Sequence, residues 1–406
     1  MELHFSTLEN GIRMVHYPVR GIIAHCGIII NAGSRDEKPE EHGMAHFIEH
    51  MLFKGTTRRK AYHVLSYLED VGGELNAYTT KEETAVYATV LKNHYSRAVE
   101  LISDIILNPA FPEKEIEKEK EVVIEEISSY LDNPAELIFD EFDEVVFSPA
   151  SIGRGILGTP SSVKSFSSKA IRKFIASNYD TSQMVFCSVG DITPKEADRL
   201  FRKYFDMMPY NRASGREAFS NGYKPTSITR SHDTNQAHCI TGNLAYSLHD
   251  VRRIVMYLLN NILGGQGLNS RLNMSLREKR GYAYHVESSY HPYVDTGLFS
   301  IYFGTDERNI DKSFAIAGSE MNKLMTVRLG PVQLSRAKNQ IKGYLARSYE
   351  NHEHLMLSMG KSLLVFGKIE RAEAIYRKIE AVTASQILET ANEVFAPDQM
   401  SSLIYK

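Results

Sequence analysis

Residues 46–55 read HFIEHMLFKG, and 210 positions later residues 256–265 read MYLLNNILGG. A second pair repeats the relation: PEKEIEKEKEVVIEEI at 112–127 lines up with PVQLSRAKNQIKGYLA at 331–346, at an offset of 219. Apolar positions coincide best, as two helices must if each packs the same way in its own copy of one plan. The offsets put one copy in each half of a 406-residue chain. That length suits two to three domains of about 100–200 residues. Between the copies, 208–227 carries Pro209, Gly215, Gly222 and Pro225 among several Ser and Asn residues, a linker composition. The expected division is a first domain over 1–210, a linker over 211–227 and a second domain over 228–406.

Working outward from 46–55, the helical stretch spans about 43–53 and is closed by Lys54-Gly55-Thr56. Upstream, Asn10-Gly11 separates two alternating stretches in hairpin fashion, and 22–30 is β-rich. Downstream, a helix over 62–71 stops at Gly72-Gly73, and strands follow at 74–78 and 84–91. Two long helices come next, over 94–107 and 112–130. Asn108-Pro109 breaks the chain between them, and Pro112 opens the second.

The composition is 43% hydrophobic and 24% charged, which excludes fibrous and wholly disordered classes. A net charge of -3 gives no basic field, so neither nucleic acid nor an anionic membrane is expected as a partner. Cys26, Cys187 and Cys239 lie far apart with no CxxC pair. They read as small core residues, not as a disulfide framework or thiolate zinc site, and a reducing compartment is expected. No signal-peptide pattern opens the chain and no apolar run reaches membrane-spanning length, so a cytoplasmic location is expected.

The chemistry lies in what differs between the copies. His46, Glu49 and His50 become Met256, Leu259 and Asn260. Histidines at i and i+4 of a helix lie on one face, one turn apart, where two imidazoles converge on a metal. Glu49 projects from the same side and could act on a metal-bound water without being a ligand. The order H-x-x-E-H is among the known metalloprotease motifs. His42, one turn before His46, reads as a helix-start residue.

A catalytic metal needs a third protein ligand, and the Glu-rich helix over 112–130 offers candidates. Ile116, Val123, Ile127 and Tyr130 define its apolar stripe. At about 100° per residue, Glu119 falls about 40° and Glu126 about 60° from Val123, whereas Glu121 and Glu125 fall about 160° away. An unpaired carboxylate on the edge of a buried stripe is costly, and a metal would remove that cost. In the second copy Glu119 and Glu126 correspond to Lys338 and Leu345. All candidate metal groups are therefore missing there together.

HGMAHFIEHMLFKGT at 42–56, followed 76 residues after His50 by Glu126, resembles the pitrilysin-type (M16) metallopeptidases. The length resembles the short bacterial branch, related to the mitochondrial processing peptidase β subunit. The resemblance implies an α+β fold of two tandem homologous domains, each an antiparallel sheet packed with helices, of the LuxS/MPP-like metallohydrolase type. It implies one zinc ion per chain held by His46, His50 and Glu126, with Glu49 as the base that deprotonates bound water. Glu119 would orient the site.

ELNAY at 74–78 resembles the edge strand of that family, whose Asn76 and Ala77 would bond substrate backbone as an added strand. On the residues alone, Asn76 is a polar strand-end residue. In LREKRGYAYHV at 276–286, Arg277 would hold a substrate carbonyl and Tyr284 would stabilise the oxyanion, with Arg280 and Tyr282 as the alternative pair. The function implied is a zinc-dependent endopeptidase acting on extended peptides or unstructured segments in an enclosed cavity, as a homodimer. Two alternatives are an active subunit paired with an inactive paralogue and a non-catalytic scaffold.

Overall fold

The computed structural model describes residues 2–213, 215–220 and 222–406, so Ser214 and Asn221 of the expected linker lie outside the described residues. The strands are β1 (His4–Thr7), β2 (Arg13–Pro18), β3 (Ile23–Ile30), β4 (Glu74–Thr79), β5 (Thr84–Leu91), β6 (Met184–Gly190), β7 (Ser227–Arg230), β8 (Ala237–Leu244), β9 (Ala283–Pro292), β10 (Gly297–Thr305) and β11 (Ser401–Tyr405). The helices of the first half are α1 (Met44–Leu52), α2 (Ala61–Glu69), α3 (Tyr95–Leu107), α4 (Glu113–Leu131), α5 (Pro134–Phe147), α6 (Pro160–Lys164), α7 (Ser168–Asn178) and α8 (Pro194–Phe205). Those of the second half are α9 (Arg253–Gly264), α10 (Ile310–Thr326), α11 (Pro331–Glu350), α12 (His352–Phe366), α13 (Ala372–Ala381) and α14 (Ala384–Val394).

One sheet runs β1-β2-β6-β3-β5-β4 and the other β7-β11-β8-β10-β9. Apart from β1, the two orders are the same plan. β2 pairs β6 in parallel, as β7 pairs β11, and the remaining pairs are antiparallel in both. The antiparallel pattern expected thus holds except for one parallel pair per sheet. Those partners are separated by most of a domain's chain, which leaves room for the crossover a parallel pair needs.

The chain divides into two compact units that are not contiguous in sequence. The first comprises Met1–Ser128, Arg154–Glu217 and Arg347–Glu370; the second comprises Ser129–Gly153, Ala218–Ala346 and Arg371–Lys406. Each half of the chain therefore lends a helix to the other unit: α12 belongs to the first unit and α5 to the second.

Period-2 alternation explains why each sheet needs that helix. In the first unit, Cys26, Ile28 and Ile30 of β3 and Met184 and Phe186 of β6 face a core built with α1, α3, α4, α7 and α8. The intervening Ile29, Val185, Cys187 and Val189 face the other way and are covered by Leu355, Met356, Met359, Leu363 and Leu364 of α12. The helix comes close at Gly360, where a Cβ would lie 2.7 Å from Ile29 Cδ1 and 3.0 Å from Cys187 Sγ. In the second unit, Ile138, Phe142, Val146 and Phe147 of α5 cover Ile240, Leu298, Leu403 and Tyr405 in the same manner.

The segment read as a linker is tied to the first unit before it leaves. Asn211 donates to the carbonyls of Ala176 and Tyr179, and Arg216 makes a two-pronged ion pair with Asp36. All three cysteines are free and buried. Among the described residues no helix is long and apolar enough to cross a membrane.

Candidate metal centre

Helix α1 is buried through Met44, Ala45, Phe47, Ile48, Met51 and Leu52. This face turns His46, Glu49 and His50 to the opposite side, and the two imidazole rings meet edge to face with centroids 4.6 Å apart. Helix α4 buries Ile116, Val123 and Ile127 on its core side. Its carboxylates then diverge. Glu119 is buried at 4% exposure, while the Glu126 side chain is 44% exposed.

The nitrogens and oxygens converge. Glu126 Oε1 lies 3.8 Å from His46 Nε2, and its Oε2 lies 3.5 Å from His50 Nε2. One ligand atom from each of the three residues falls within 4.8 Å of the others. Behind His50, Nδ1 lies 2.9 Å from Glu119 Oε1, and the second oxygen of Glu119 pairs with Lys54 Nζ at 2.6 Å. An ionised carboxylate can only accept, so Nδ1 carries a proton, and in the neutral ring Nε2 keeps its lone pair. His46 has no such support, since its Nδ1 is buried with no hydrogen-bond partner among the described residues.

The electrostatics follow from these contacts. Burial, helped by neighbouring His50, pushes the His46 imidazole down to about 4, so it stays neutral near pH 7. Burial alone would also lower His50, but the Glu119 hydrogen bond and the charges of Glu126, Glu119 and Glu49 outweigh it and raise the group. Burial would raise Glu119, yet its bonds to His50 and Lys54 hold it below the usual carboxylate range. Burial raises Glu49, and Glu126 adds to this, while the Thr79 hydroxyl and His50 pull the other way.

Asn76 and Ala77 lie on β4, the edge strand of the first sheet, opposite Tyr87 and Val86 of β5. Helix α1 packs on that same strand. Glu74 and Asn76 are exposed, alternating with half-buried Leu75 and Ala77. Arg277 and Tyr284 belong to the second unit. Arg277 sits in a π-helical stretch, Asn273–Glu278, with its guanidinium 5.2 Å from the centre of the exposed Tyr284 ring on β9. Arg280 donates to the Ser275 carbonyl, and Lys312 lies over the Tyr282 ring. His42 bonds the Gly155 carbonyl through Nε2 and is not in the converging group.

Lys54 was not singled out by the sequence reading. It stands two residues past the end of α1, where helical spacing no longer says which way a side chain points.

Residues 20–160 match the family model described as insulinase (peptidase family M16), and residues 165–341 match that of the peptidase M16 inactive domain. The chain is 33% identical to an uncharacterized zinc protease of Rickettsia bellii, over 98% of this chain and 96% of the relative. It is 32% identical to an uncharacterized zinc protease of Bacillus subtilis, over 98% and 97%. A probable mitochondrial-processing peptidase subunit beta of Arabidopsis thaliana is 29% identical over 97% of this chain and 76% of its own. Among solved structures, a peptidase M16 inactive domain from Pseudomonas fluorescens superposes with a TM-score of 0.92 at 19% identity, covering 100% and 98% of the two chains. A protease from Helicobacter pylori gives 0.89 at 20% identity, covering 100% and 99%. These two share the fold. With relatives of this identity spanning nearly its whole length, the chain belongs to peptidase family M16, a family of metallopeptidases.

Proposed function

We propose that the chain is a zinc-dependent endopeptidase that hydrolyses peptide bonds in extended peptides or unstructured segments. The observation carrying this reading is the convergence of Nε2 of His46, Nε2 of His50 and the Glu126 carboxylate, with His50 backed by Glu119. The donor set fits zinc. Zinc–ligand bonds of about 2.1 Å at tetrahedral angles separate neighbouring ligand atoms by about 3.4 Å. One ligand atom from each of the three residues lies within 4.8 Å of the others, so an inward movement of the side chains brings the set toward that figure. Two imidazoles and one carboxylate leave a fourth position open, as catalytic zinc sites do. One ion per chain follows from the loss of all these groups in the second copy.

Zinc, when bound, supplies Lewis acidity that lets a water molecule act as a nucleophile near neutral pH and polarises the carbonyl it attacks. The remaining steps fall to the chain's own residues. Glu49 takes the proton released by the attacking water and returns it to the leaving nitrogen as the C–N bond breaks. Its buried setting suits it to carry a proton in both directions. The free edge of β4, around Asn76 and Ala77, offers backbone N–H and C=O groups to an extended substrate, with Glu74 and Asn76 on its exposed face. Arg277 and Tyr284 remain proposed substrate-binding groups of the second unit, supplying donors to a peptide carbonyl and to developing negative charge.

The test uses the chain purified alone, sized, and assayed on a quenched peptide with and without a chelator. Hydrolysis that is lost with chelator and restored by zinc supports the reading. Zinc binding without hydrolysis would move it to a subunit that needs a partner, and the absence of both zinc binding and hydrolysis would contradict it.

A further inference from the structure

We propose that Glu37 is a positioning residue for the metal centre: its carboxylate fixes the N-terminal end of α1, and with it His46 and Glu49, from outside the ligand set. The inference rests on the zinc reading above.

Helix α1 begins poorly equipped. Its N-cap, Gly43, has φ of 91° and no side chain with which to cap the first turn. The free N–H groups at such an end need acceptors. Glu37 supplies them from six and eight residues upstream. Its Oε2 accepts from Gly43 N at 2.8 Å, and its Oε1 accepts from Ala45 N at 2.8 Å. The carboxylate is 4% exposed, so both oxygens are spent on this helix end.

The same end is held from a second side by segment 154–158. Arg154 donates to the Glu37 carbonyl, and His42 Nε2 lies 2.8 Å from the Gly155 carbonyl oxygen. Lys81, itself buried, donates to the Arg154 carbonyl at 2.6 Å. Gly43 and Gly158 lie so close that a Cβ on Gly43 would stand 2.6 Å from the Leu157 carbonyl oxygen, and one on Gly158 would stand 2.5 Å from that of His42. The first turn of α1 therefore has one place to be.

His46 is the third residue of α1, within the turn that Glu37 holds, whereas Glu126 arrives on a different helix. A shift of the α1 end moves His46 against Glu126 directly. Constellations of this kind tolerate displacements of only about 0.5 Å. Glu37→Gln preserves the shape but turns an amide NH2 toward one of the two N–H donors, so one bond becomes a repulsion.

The experiment measures zinc affinity of the full chain by competition with a chromophoric chelator, with melting temperature of the metal-free protein and peptide-hydrolysis kinetics alongside. Glu37→Gln is expected to weaken zinc binding about tenfold and to lower kcat while KM stays within about twofold. The comparison variant is Thr193→Ala, which removes the N-cap bond to Glu196 N at the start of α8. It is expected to lower the melting temperature while zinc affinity stays at the parent value. Zinc affinity of Glu37→Gln within twofold of the parent overturns the proposal, as does an equal loss in Thr193→Ala. Should Glu37→Gln not fold, Glu37→Asp decides, because a shorter carboxylate cannot reach both N–H groups. Weaker zinc binding by Glu37→Asp supports the proposal and parental binding overturns it. If the parent itself binds no zinc, the zinc reading fails and this inference falls with it; a zinc-binding parent with an unaffected variant sinks this inference alone.

Discussion

His50 Nδ1 lies 2.9 Å from Glu119 Oε1, and the other oxygen of that carboxylate lies 2.6 Å from Lys54 Nζ. Glu119 is thereby held ionised although it is buried, and its charge fixes which ring nitrogen of His50 carries the proton. Glu119→Gln keeps the size and removes the charge. Zinc affinity should fall about tenfold to a hundredfold, measured by chelator competition. An unchanged affinity would show that Glu119 fills space and no more.

Lys54 should matter less, because its side chain is 30% exposed and water partly replaces it. Lys54→Met should weaken zinc binding by up to about fivefold, and Lys54→Arg should restore most of the loss. The competition assay separates the two variants.

The pH dependence carries a sign. The proposed base, Glu49, could act only when ionised, and burial raises its pKa above the usual value near 4.5. The acid limb of kcat/KM should therefore lie above that of an ordinary glutamate, with activity falling as pH falls through it. For zinc binding the competing proton is the one on His50, whose pKa is raised, while His46 takes none until about 4. Between roughly pH 5 and 6, zinc affinity should lose about tenfold per pH unit, the signature of one proton and not two. A slope of two would contradict the unequal assignment of the two histidines.

Packing of the borrowed helix can be tested through Gly360, where a Cβ would crowd Ile29 and Cys187. Gly360→Val should destabilise the protein by about 1–3 kcal/mol in denaturant unfolding. Gly318→Ala, in open space on α10, should leave stability unchanged or raise it by up to about 1 kcal/mol.

The elements around the site were legible in the sequence because each carries a local signal. The stretch 43–53 reads as a helix from its punctuation and is observed as Met44–Leu52, and the alternation at 84–91 is a strand with those bounds. Helical spacing places Glu119 and Glu126 alike at the edge of one stripe and does not separate them. Their difference comes from partners on another element: His50 and Lys54 let Glu119 sink into the interior, while Glu126 faces outward. The exchange of α5 and α12 left no local trace, because an amphipathic helix shows that it has a buried face and not which sheet covers it. Glu37 was invisible for a related reason. It lies between two short 3-10 turns, where no period marks the inward-facing side chain.

The proposed mechanism gives the proton transfer to Glu49, at a zinc held by His46, His50 and Glu126. Zinc content and quenched-peptide hydrolysis of Glu49→Gln, measured beside the parent and Glu126→Ala, test it most directly. Glu49→Gln should keep about one zinc per chain while hydrolysis drops by about a hundredfold to ten-thousandfold, and Glu126→Ala should lose zinc itself. Hydrolysis by Glu49→Gln at the parent rate, with zinc in place, would contradict it.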